Sequence, residues 1–124
     1  MDRERFEALV ARAVDSLPEE FRSRLDNIDV VVEDWPTRKQ LAEAGLRRAE
    51  TLLGLYEGVP LTNRSSSYGL VPPDKITIFQ KPIEAKCRDD NEVTDEIQEV
   101  VRHEIAHHFG IGDARLREIE EGEG

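Results

Sequence analysis

Residues 103 to 113 read His-Glu-Ile-Ala-His-His-Phe-Gly-Ile-Gly-Asp and hold every histidine of the chain. His103 and His107 are four apart, so on a helix they lie about 40° from each other around the axis and project from one face. That spacing lets two imidazoles reach one zinc ion at roughly 2.0–2.1 Å. Glu104 stands about 100° further round, beside such a metal rather than on it. There it can accept a proton from water that the metal activates. Two histidines do not complete a zinc site. Gly110 can take the positive φ that turns the chain sharply back at a helix C-terminus. The turn is expected to return Asp113 toward the metal as a carboxylate ligand, with the fourth position left to water. Asp113 also precedes Ala-Arg-Leu-Arg-Glu, so it reads as well as the N-cap of a terminal helix.

A chain of this composition contains HExxH by chance at roughly 0.7%, and the longer pattern at a few in 100,000. Specificity therefore comes from Gly110 and Asp113 as much as from the histidines. HEIAHHFGIGD resembles the extended zincin motif HExxHxxGxxD. With the preceding KITIFQ strand and the short length, the sequence is similar to the small bacterial zincin-like metallopeptidases, the minimal metalloproteases. The resemblance implies a compact α+β fold in a single domain spanning residues 1–124, with an active-site helix packed on a small mixed sheet. It further implies bound zinc, peptidase activity, His103, His107 and Asp113 as ligands, and Glu104 as general base. Metzincins differ in carrying histidine at the third ligand position and a Met-turn beneath the metal. Here the third position is Asp113 and the only methionine is Met1, so the floor of the site must be built otherwise.

Other residues invite plainer readings. His108, five after His103, points away from a metal held by its neighbours and is expected to pack or hydrogen-bond instead. Cys87 reads as a bland thiol. Trp35, next to Pro36, is expected to be a packing anchor, and Tyr68 lies in an irregular stretch with nothing to place it near the metal. The charge runs Arg88-Asp89-Asp90 and 118–121 read as solvated surface.

Positioning this motif requires a scaffold, and the apolar periodicity supplies one. Phe6, Leu9, Val10, Ala13, Val14 and Leu17 form a helical stripe. Ser16 is expected to cap a short second helix running to Leu25. Ile28, Val30 and Val32 alternate through a β-branched strand over 27–33. Thr37 caps a brief helix to about Ala44, before Gly45. Residues 51–57 read as a strand with Gly54 as a weak point or bulge, 58–73 as a long loop, and 75–80 as a third strand. One or two helical turns over 82–87 follow. The last long helix is expected to start at a cap on Asn91 or Thr94 and to stop at Gly110, ahead of a short helix over 113–121.

With 124 residues, of which 38% are hydrophobic, the chain can bury one modest core. Its 27 acids against 17 bases give a net charge of −10. That charge argues against binding nucleic acid or an anionic membrane surface. No apolar run approaches a membrane span, the N-terminus lacks the apolar centre of a signal peptide, and one cysteine forms no internal disulfide. A cytoplasmic location is expected. The expected function is zinc-dependent hydrolysis of a peptide or protein substrate, an extended peptide being held at the edge of the KITIFQ strand. The alternative is a metal-binding adaptor or sensor without turnover. Neither the substrate nor the oligomeric state is specified by the sequence.

Overall fold

A computed structural model describes residues 1–23, 25, 28–45, 52–58, 74–111, 115 and 118. Among them the chain forms α1 (Arg3–Asp15), α2 (Glu19–Arg22), β1 (Ile28–Glu33), α3 (Arg38–Glu43), β2 (Gly54–Glu57), β3 (Asp74–Phe79), α4 (Gln80–Lys86) and α5 (Asp90–Phe109). The architecture is α+β, with one three-stranded mixed sheet ordered β1-β3-β2. β1 runs parallel to β3, pairing Val30 with Ile76 and Val32 with Ile78. β2 runs antiparallel to it, pairing Gly54 with Ile78 and Tyr56 with Ile76. β3 is therefore the central strand, with partners on both sides. Its edge is not open to a peptide, contrary to the expectation for KITIFQ. The edges among the described residues are β1 and β2.

The core lies where α1 and α5 meet the sheet. Phe6, Val10 and Ala13 from α1 pack with Ile97, Val101 and Ile105 from α5 and with Ile76 and Ile78 from β3. Each fully buried aliphatic or aromatic side chain of this kind contributes about 1.5–3 kcal/mol. Phe21 and Phe109 close one end, with ring centroids 4.8 Å apart. The Arg3 guanidinium bonds Gln80 at 2.8 Å and the Val32 carbonyl at 3.0 Å, joining α1 to β1 and to the start of α4.

Several boundaries differ from the sequence reading, each for a local reason. Ser16 does not cap α2. It ends α1, and its hydroxyl donates to the Ala13 carbonyl. Pro18 occupies the N-cap of α2, which stops at Arg22 rather than Leu25. Thr37 does cap α3, with Gln40 completing a reciprocal capping box. β3 begins one residue early, at Asp74, and Gln80 already belongs to α4. The cap of α5 is neither Asn91 nor Thr94. Asp89 accepts from the Glu92 backbone N–H at 2.9 Å, and Asp90 pairs with Arg5 at 3.2 Å. The run is exposed, as expected, and Asp89 within it also caps the helix. Trp35 is 57% exposed and anchors no packing. Residues 59–73 with Tyr68, and Asp113 with most of the expected terminal helix, lie outside the described residues.

Candidate metal centre

α5 is 20 residues long, so it spans about 30 Å and carries the motif in its last two turns. Its end is set by Gly110, at φ 70° and ψ 31°. The Ile111 N–H bonds the Ala106 carbonyl at 2.9 Å and the Gly110 N–H bonds the His107 carbonyl at 3.0 Å, the paired closure of a Schellman turn. The glycine thus turns the chain sharply, as its position in the motif implied.

His103 and His107 project together, with ring centroids 4.6 Å apart. Their side chains are 47% and 51% exposed, whereas Glu104 between them is only 7% exposed. One carboxylate oxygen lies 3.4 Å from His107 Nδ1 and the other 4.0 Å from His103 Nε2. One donor atom from each of the three residues fits within 4.8 Å of the others. Two imidazoles beside a carboxylate are a donor set that suits zinc, and both rings face the open cleft. The residues present therefore fit the metal that the motif implies. The ligand expected from Asp113 lies outside the described residues.

Burial pushes the Glu104 carboxyl above the ordinary carboxylate range. The charges of His107 and His103 oppose that rise, as does a hydrogen bond from the Tyr56 backbone N–H. A carboxylate raised by burial yet surrounded by donors is suited to taking and returning a proton.

The cleft above these residues has a volume of about 620 Å³. α5 forms one wall through Glu99, Val100, His103 and His107, and β2 with the residues before it forms the other through Leu52, Gly54 and Tyr56. Gly54 is not a bulge. A Cβ there would lie 2.6 Å from Val100 Cγ1 and 3.2 Å from Glu104 Cγ, so the missing side chain is what lets β2 approach the helix.

His108 is 2% exposed, and its Nδ1 lies 2.6 Å from Asp74 Oδ2. It belongs to the interior and not to the histidine pair, as expected, but its partner is distant in sequence. The Tyr56 hydroxyl donates to the same Asp74 oxygen at 2.7 Å. Asp74 and Tyr56 were not singled out in the sequence. Asp74 at the head of a β-branched strand was the available signal, because a buried acid there requires a partner. Cys87 is half-buried, and burial pushes its thiol up, so it is a poor nucleophile and ligand.

The chain is similar in fold to a conserved hypothetical protein from T. thermophilus, with a TM-score of 0.56 and 20% identity over 99% of this chain and 100% of that one. No curated protein matches it. Residues 25–123 match the zincin-like metallopeptidases, and with the histidine pair, the buried glutamate and the glycine turn held within that span, the chain belongs to the zincin-like metallopeptidase family.

Proposed function

We propose that the chain is a zinc-dependent peptidase acting within extended peptide chains, with His103, His107 and Asp113 as ligands and Glu104 as general base. The observation that carries this reading is the contrast in burial within one helical turn. Glu104 is sequestered at the cleft floor while the flanking imidazoles face solvent. A binding module has no need of a sequestered carboxylate at that place. Zinc, when bound, would lower the pKa of water to roughly 7 and polarise a peptide carbonyl. Glu104 takes the proton from the attacking water and delivers it to the departing nitrogen. The Tyr56 backbone beside it favours the ionised form that takes the proton.

The substrate chain lies along β2 and not β3. β2 is an edge strand among the described residues and forms a wall of the cleft, and sheet edges accept extended peptides through main-chain bonds. Leu52, Leu53 and Val100 give the cleft an apolar lining for one substrate side chain.

Glu104→Gln in the zinc-loaded protein should retain one zinc by elemental analysis and lose about 10²- to 10⁴-fold in cleavage of a quenched peptide library. Undiminished cleavage by this variant would remove Glu104 from the mechanism. One zinc per chain with no cleavage by the parent would leave the adaptor or sensor reading.

A further inference from the structure

Asp74 is 1% exposed and receives two hydrogen bonds on one oxygen, from Tyr56 on β2 and from His108 on α5. The three residues belong to three elements, and Asp74 is separated from the other two by 18 and 34 positions. A buried carboxylate is costly unless its hydrogen bonds are made, and apolar residues of similar volume would fill the same space at lower cost. What a carboxylate supplies in addition is direction. Its two donors fix the height and rotation of β2 over α5.

That placement bears on the general base. Tyr56 donates its hydroxyl to Asp74 and lines the same cleft as Glu104. His108 follows Glu104 by four residues, so the two stand one turn apart on the same helix face. The Tyr56 ring meets His108 edge-on, with centroids 5.9 Å apart. One residue of β2 is therefore tied to His108 through Asp74 while it lines the cleft beside Glu104, and a Cβ on Gly54 of the same strand would lie 3.2 Å from Glu104 Cγ. Gly58 keeps the grip open. At φ 156°, a Cβ there would lie 2.5 Å from Asp74 Oδ1 and 3.1 Å from the Tyr56 hydroxyl.

We propose that Asp74 is a positioning residue for the hydrolysis: by holding Tyr56 and His108 together it sets how closely β2 stands over Glu104. The proposal rests on the peptidase reading for its effect on rate, but its structural content is measurable without turnover.

The test uses zinc-loaded parent, Asp74→Asn and Tyr56→Phe. Hydrogen exchange at the β2 amides should quicken about tenfold in both variants while the Ile76 and Ile78 amides keep their protection. Zinc affinity, measured by competition with a chromophoric chelator, should stay within about threefold of the parent, and kcat should fall about tenfold with KM nearly unchanged. In a Glu104→Gln background, Asp74→Asn should cause no further loss, because it acts through Glu104. Unchanged exchange across β2 overturns the proposal, and so does an equal loss of rate with and without Glu104. A fall in zinc affinity matching the fall in rate overturns it as well. If Asp74→Asn does not fold, Tyr56→Phe alone carries the same readouts, since it deletes one hydroxyl. If the parent cleaves nothing, the peptidase reading fails while the exchange measurement still decides whether Asp74 holds β2 on α5.

Discussion

Burial and two imidazoles pull on Glu104 in opposite senses, and burial prevails, so its carboxyl is raised. A carboxyl whose folded pKa exceeds its unfolded one favours the folded state fully below the unfolded value, and that stability is lost as pH rises through the folded value. In metal-free protein the ionised carboxylate is thus a destabilising charge near pH 7. Glu104→Gln should raise the melting temperature of the metal-free protein at pH 7, with the advantage shrinking as pH falls from the raised folded value toward the ordinary carboxylate value and gone below it. Melting curves across that range check it, and an advantage that grows in acid would contradict the raised pKa. Sequence alone makes His103, Glu104 and His107 legible, because one helical turn fixes their relation whatever surrounds them. The Tyr56–Asp74–His108 contact is hidden, because the antiparallel pairing of β2 with β3 and the packing of α5 on the sheet bring those residues together and no local spacing encodes it.

Elements were readable where apolar periodicity dominates and less so where a single polar group decides. α1, β1 and the body of α5 follow their stripes and alternation. The start of α5 does not, because Asp89, Asp90, Asn91 and Thr94 offer competing caps, and Asp89 wins by reaching the Glu92 N–H. KITIFQ was recognised as a strand but not as the central one, since its place in the sheet depends on which neighbours pair with it. Two glycines set how the strands and helix meet. Gly54→Ala forces its Cβ into Val100 and should cost about 1–3 kcal/mol by separating β2 from α5. Gly110→Ala places a side chain at φ 70° and should cost about 1–2 kcal/mol. Urea unfolding of both variants measures these losses, and a neutral Gly54→Ala would mean that β2 does not press on the helix.

For the molecule as a whole, the α+β layout follows from burying the apolar faces of α1, α5 and the three strands of the described residues in one core. No described helix is long and apolar enough to cross a membrane. A metal bound only by the folded chain adds stability by mass action, about 2.7 kcal/mol at a hundredfold excess over its dissociation constant. Thermal melts with and without zinc should therefore separate by several degrees in the parent and coincide in His107→Ala. The most direct test combines binding with turnover: metal-free protein is titrated with zinc while hydrolysis of a quenched peptide library is followed. Activity should rise in proportion to zinc, break at one equivalent, and be absent throughout in His103→Ala. Cleavage by the metal-free chain, or full occupancy at one equivalent with no cleavage at all, would contradict a hydrolytic zinc centre.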